Sequence, residues 1–198
     1  MKNKARFLNS PHMEPIPGNA PFAISSEPLL FQFAGKPVPQ STVDDFLIEW
    51  KTTPPFYTLN GWLHELLGNI FEPNTVLVAP AGRVTDGPSV PRAARWLVKP
   101  SDFYFSGVMH DYIRGHFTTG NATTDGLLRD MATAEGVNGF KAYLIYAGVR
   151  IGTHIGYRCK TPDPVATCKT FAKMRGVDPA AVWFDINDFE MRFRRETA

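Results

Sequence analysis

Apolar and polar positions alternate with helical period through the middle of the chain. Over Ser101 to Phe117, Phe103, Gly107, His110 and Arg114 share one face and Phe105, Met109 and Tyr112 another. This predicts a helix with Ser101 or Asp102 as its N-cap. Leu127, Leu128 and Met131 form the stripe of a second helix, capped by Thr123 or Thr124, running to about Glu135 and stopped by Gly136. Asn138 to Ile155 predicts a third helix, strongly apolar through Phe140, Tyr143, Leu144, Tyr146, Ala147, Val149 and Ile151, and reads as packed core. Upstream, alternation of Phe46, Ile48 and Trp50 predicts a strand over Val43 to Trp50, broken by Pro54-Pro55. Trp62, Leu66, Leu67 and Ile70 predict a short amphipathic helix over Gly61 to Phe71, with His64 exposed on its polar side. Thr75 to Ala79 reads as a second strand, Pro80-Ala81-Gly82 as a turn, and Arg83-Val84-Thr85 as its continuation.

The flanks read differently. Pro11, Pro15, Pro17, Pro21, Pro28, Pro37 and Pro39 make residues 1–41 an extended arm, because proline fixes φ and removes a donor. Phe22, Leu29, Leu30, Phe31 and Phe33 give that arm something to bury, on its own domain or on a neighbouring subunit. Beyond Pro162, Val165 to Met174 predicts a helix with Phe171 inward, and Asp178-Pro179 starts a last helix carrying Trp183, Phe184, Phe189 and Phe193. The expected fold is α+β, mainly α. A small β-hairpin region precedes three core helices in a domain over 42–157, with the Pro-rich arm at 1–41 and a helical extension at 158–198.

Composition narrows the class. The 198 residues are 43% hydrophobic and 13% aromatic, enough for a packed core. The 21 basic and 19 acidic residues leave no clustered basic footprint of the kind nucleic acid requires. The basic run Met191 to Arg195 reads as a solvated helix end. No stretch approaches the roughly 20 apolar residues of a membrane span. Lys2, Lys4 and Arg6 are followed by prolines and polar residues rather than an apolar segment, so no secretory signal is expected. Cys159 and Cys168, nine residues apart, form neither a disulfide framework nor a zinc knuckle and read as buried or idle thiols.

The candidate chemistry lies between Val78 and Arg129. Asp86-Gly87-Pro88-Ser89-Val90-Pro91-Arg92 is a rigid loop, a usual place to hold a ligand. Asp86 there reads first as a turn cap and second as a cation ligand. His110-Asp111 sits on a helix, where adjacent residues diverge by about 100°. His110 can then face a cleft while Asp111 points towards the loop. Asp125, on the next helix, can accept from the far nitrogen of His110 and hold its tautomer. A histidine near neutral pH suits proton abstraction from water. Asp86, Asp111 and the Gly87 carbonyl are the hard oxygens that calcium prefers. The same residues also read as a purely structural buried histidine satisfied by Asp125.

At these positions the chain resembles DUF1353, a phage and prophage family of unknown function. The carrying residues are Gly82-Arg83-Val84-Thr85-Asp86, Ser89-Val90-Pro91-Arg92, His110-Asp111, Asp125 and Tyr146-Ala147-Gly148-Val149-Arg150, in the family's order over residues 43–156. More distantly it is similar to calcium-dependent phospholipases A₂, which carry His-Asp-x-x-Tyr followed by an aspartate on an antiparallel helix. That resemblance implies His110 as general base, Asp125 as orienting acid, and Asp86 and Asp111 as calcium ligands; the Gly87 carbonyl joins them from the loop's own chemistry, and Ser89, Arg92 and Arg114 are further candidates of the motifs. Arg114 stands where the motif has tyrosine and Leu128 where the family has phenylalanine. An arginine at that place can pair with Asp125 and lock the site.

Two functions follow as expectations. One is a phage-encoded, calcium-dependent, phospholipase-like hydrolase of lipid esters, acting at host entry or lysis, with phospholipid as partner. The other is a non-catalytic virion component of tail, neck or capsid, binding other virion proteins or copies of itself and needing no cofactor. Its place would be the host cytoplasm during assembly and then the virion. A peptidoglycan hydrolase is a third reading. Zinc peptidases need closely spaced histidine ligands, and His110 and His116 are six apart.

Overall fold

A computed structural model describes residues 5–33, 35–52, 76–88, 90, 96–116, 121–154, 161–187 and 189–193. It is mixed α+β, with five α-helices and three small antiparallel sheets among these residues. The chain divides into two compact units: residues 1–84 with 162–198, and residues 85–161.

The first unit is richer in strand than the sequence pattern suggests. Strands β1 (Arg6–Phe7), β2 (Met13–Pro15), β3 (Ala23–Ser25) and β4 (Leu29–Gln32) occupy the stretch expected to be an extended arm. With β5 (Val76–Ala79) and β6 (Val84–Thr85) they build two sheets, ordered β1–β4–β5 and β2–β3–β6. In the first, β4 and β5 run antiparallel from Leu29 opposite Ala79 to Gln32 opposite Val76. Proline did not prevent this, because it stands at strand ends and in turns, where no ladder donor is needed. Pro15 ends β2, and Pro17 and Pro21 flank the turn that returns it to β3.

Residues 43–50, expected as a strand, lie in helix α1 (Gln40–Thr52). The alternation misled: Val43, Phe46, Leu47 and Trp50 also stand at helical spacing, and Ile48 of the supposed strand face is exposed. Gln40 Nε2 donates to Asp44 Oδ1 one turn on, at 2.9 Å. The expected helix over Gly61 to Phe71, His64 and Pro54-Pro55 lie outside the described residues, as does Cys159.

The tail returns to this unit. Helix α5 (Pro164–Arg175) is capped by Asp163, whose carboxylate accepts from Val165 N at 2.9 Å, and Gly176 closes it with φ +63°. Phe171 points inward as its spacing predicts. The last expected helix is instead a hairpin, β7 (Val182–Asp185) and β8 (Glu190–Phe193). β-branched and aromatic Val182-Trp183-Phe184 favour the pleat, and Asp185 Oδ1 accepts from Asn187 N at 3.0 Å to make the turn. The basic run therefore begins in a strand, where Arg192 Nε meets Asp185 Oδ2 at 3.3 Å. Ile16, Phe22, Ile24, Val84, Phe171, Val182 and Met191 form one apolar cluster, with Cys168 half-buried beside it. Burial, the largest influence, pushes the Cys168 thiol above its ordinary range.

The second unit holds the three expected core helices: α2 (Tyr104–His116), α3 (Asn121–Ala134) and α4 (Gly139–His154). Helix α3 packs on both α2 and α4. Val108, Met109, Tyr112 and Ile113 of α2 are buried, as are Leu127, Leu128 and Met131 of α3 and Ala142 and Ile145 of α4. Gly136 (φ +101°) ends α3, with Val137 N returning to Ala132 O at 3.0 Å. Asn138 Oδ1 then accepts from Lys141 N at 2.9 Å and starts α4. Two expectations change. Thr124 is a buried residue inside α3 rather than its cap. Helix α4 is not buried all round, for Phe140, Tyr143 and Ile151 are 69%, 56% and 63% exposed.

Candidate active site

Helix α2 begins with a single 3₁₀ turn, Pro100–Phe103. Its first α-helical donors are satisfied from a distance rather than by Ser101 or Asp102. Glu135, just past the end of α3, accepts from Phe105 N at 2.9 Å, Ser106 N at 2.8 Å and the Ser106 hydroxyl. Burial, the dominant cause, pushes the Glu135 carboxyl up, against the lowering pull of those hydrogen bonds. One turn further along α2 lies His110.

His110 is 5% exposed and stands between two carboxylates. Its Nε2 is 3.0 Å from Asp125 Oδ1 on α3, and its Nδ1 is 3.7 Å from Asp111 Oδ1. Asp125, with no exposed surface, also meets Arg150 of α4, whose Nη1 donates to Oδ2 at 3.3 Å. The Thr85 hydroxyl donates to Asp111 Oδ2 at 3.3 Å and accepts from Gly87 N at 3.0 Å. The result is one alternating polar chain: Gly87, Thr85, Asp111, His110, Asp125, Arg150. It ties a loop and three helices within the second unit, and it gives the buried Thr85, His110 and Asp125 polar partners that burial would otherwise penalise them for lacking.

The loop approaches α2 closely because two residues are glycine. A Cβ on Gly107 would lie 2.7 Å from Pro88 Cγ. Gly87 has φ +71°, and a Cβ there would meet the Tyr104 ring at 3.2 Å. Asp86, half-buried, acts on the same ring: burial first, and the Asp86 charge second, push the Tyr104 phenol up. Of the sequence candidates, His110, Asp111 and Asp125 are thus brought together, and Asp86 and Gly87 lie on the adjoining loop. Arg114 is exposed on α2, and its charge reaches Asp125. Ser89 and Arg92 lie outside the described residues. Thr85, Arg150 and Glu135 complete the arrangement without having been singled out. Thr85 and Arg150 lay inside the quoted motifs, whereas Glu135 had no local signal, since its partners are about thirty positions away.

Among the described residues no group of three or more His, Cys, Asp or Glu side chains is placed to hold a metal ion. Asp111 is bonded to Thr85 and faces His110.

The two ends of the dyad move in opposite directions. Burial alone would lower the His110 pKa, but its bonds to Asp111 and Asp125 and their charges raise it above the ordinary 6.5. Burial alone would raise Asp125, but the His110 bond and charge, the Arg150 bond and the Arg114 charge hold it below the ordinary 3.8. His110's contribution to stability is complete below 6.5 and lost as pH climbs through the raised folded value. Asp125's is complete above 3.8 and lost as pH falls through the depressed one. Melting temperature against pH is therefore expected to peak between 3.8 and 6.5 as far as this pair controls it, and His110→Ala to flatten the alkaline limb.

No helix of the described residues is long and apolar enough to cross a membrane. No curated protein and no solved structure matches the chain. Residues 67–149, which include His110, Asp111 and Asp125, match the model of the family described as Protein of unknown function (DUF1353), and this match supports the family resemblance carried by the sequence motifs.

Proposed function

We propose that the chain is a phage-encoded hydrolase of ester bonds, of the phospholipase kind, with His110 as general base and Asp125 as the acid that orients it. The observation carrying this reading is the 3.0 Å contact of Nε2 with a fully buried carboxylate whose other oxygen is held by Arg150. With Nε2 fixed by Asp125, Nδ1, which stands 3.7 Å from Asp111 Oδ1, is the nitrogen that takes the proton. In this mechanism neutral His110 carries its proton on Nε2, donated to Asp125. Nδ1 takes a proton from water as the water oxygen bonds to the ester carbonyl carbon. The C–O bond to the leaving alkoxide then breaks, and the imidazolium returns the proton to that alkoxide. Because the neighbouring carboxylates raise the His110 pKa, the neutral form is reached only on the alkaline side of 6.5, and the rate should climb there.

The test is fatty-acid release from mixed phospholipid vesicles by the purified chain, with calcium or with chelator, across pH 6 to about 9. Release that rises with pH and is lost in His110→Ala is the expected result. No release by the wild-type chain under any of these conditions removes the hydrolase reading. One observation favours a second reading, a non-catalytic building block of a virion: Phe140, Tyr143 and Ile151 lie exposed along α4, where a neighbouring subunit could cover them.

A further inference from the structure

We infer that Glu135 is a positioning residue for the His110–Asp125 pair: its carboxylate fixes the rotation of α2 against α3, and so the direction in which the imidazole points. The inference rests on the dyad being the working site. Ser106 and His110 stand four residues apart, on one face of α2. Each makes a polar rung to the α3 segment, Ser106 to Glu135 and His110 to Asp125. Met109 and Ile113 of α2 and Leu128 and Met131 of α3, all 2% exposed or less, give these packed helices apolar side chains as well. Such contacts are non-directional and tolerate a small turn of one helix on the other. Hydrogen bonds to both carboxylate oxygens do not, because they have fixed directions. The Glu135 rung is threefold, with two backbone N–H groups and one hydroxyl, and it grips the backbone of α2 itself. Without it, the His110–Asp125 bond loses the rung that holds the α2 backbone one turn away.

The experiment reads the ring proton directly. In the full chain with ¹⁵N-histidine, the His110 Nε2–H donated to Asp125 should give a downfield, exchange-protected resonance, which Asp125→Asn shifts and so assigns. Glu135→Ala is expected to move this resonance upfield or broaden it away. Val137→Ala, a buried packing change at the same helix end, should leave it in place at a comparable loss of stability. In the vesicle assay the same comparison should show kcat down by about a hundredfold in Glu135→Ala with KM little changed. A folded Glu135→Ala chain with the wild-type resonance overturns the inference. Should that variant fail to fold, Glu135→Gln takes its place: its amide has a single accepting oxygen and cannot keep the bonds made at both carboxylate oxygens, and an unmoved resonance there overturns the inference equally. The resonance needs no turnover. A wild-type chain that hydrolyses nothing therefore removes the hydrolase reading and leaves this test to decide on Glu135.

Discussion

Asp125→Ala is expected to cost the helical unit about 3–5 kcal/mol, the usual penalty for removing one partner from a buried ion pair. The carboxylate has no exposed surface and serves two cations, His110 and Arg150. Its removal leaves the imidazole with a donor that water cannot reach and the guanidinium without its 3.3 Å partner. Asp125→Asn should cost less, since an amide oxygen still accepts one of the two bonds. Chemical denaturation of the three proteins at pH 6 measures the order. A cost below about 1 kcal/mol for Asp125→Ala would place the pair with solvent-exposed ion pairs, not buried ones. The alanine variant should also lose the pH-dependence assigned to the dyad, because His110 would then answer to Asp111 alone.

Phe171→Ala is expected to destabilise the strand-rich unit by about 3–5 kcal/mol, the range for emptying a buried aromatic site. Phe171 is 2% exposed and lies at the centre of a cluster drawn from three separate parts of the chain: Phe22 and Ile24, Val84, and Val182 and Met191. Its ring approaches Gly82 so closely that a Cβ there would come within 3.1 Å, and it tilts against Phe193 at 5.2 Å between centroids. The surrounding β strands are held by ladders and cannot collapse readily into the space. Scanning calorimetry should show the transition of this unit moving down while the His110 ring resonance, in the helical unit, stays where it was.

The helical unit was the more legible part of the sequence. Its three helices carry apolar stripes long enough to outvote local ambiguity, and Leu127, Leu128 and Met131 are all buried as their spacing predicts. His110 and Asp125 could be paired because their partners lie on consecutive helices. The strand-rich unit was misread for physical reasons. Short strands such as Arg6–Phe7 and Ala23–Ser25 carry too few residues for a period to show. Prolines between them weigh towards an arm when pairing partners such as Leu77 and Val78 lie some fifty residues away. A stretch as short as Val43 to Trp50 fits period 2 and period 3.6 alike, and this is why α1 and the β7–β8 hairpin differ in type from the pattern's expectation. Arg150 and Glu135 escaped for a different reason: each acts on a partner in another element, and only the packing of helices brings them there.

The division of the chain also sets an order of events during synthesis. The helical unit is continuous, so it can fold as soon as residues 85–161 have left the ribosome. The strand-rich unit has one part made before the helical unit and the other after it. Until Phe171, Val182 and Met191 emerge, Phe22, Ile24 and Val84 have no partners for their apolar faces from the tail. The nascent chain thus carries an unfinished half-core through the whole translation of the unit between, at a stage when exposed strand edges are prone to pair with the wrong neighbour.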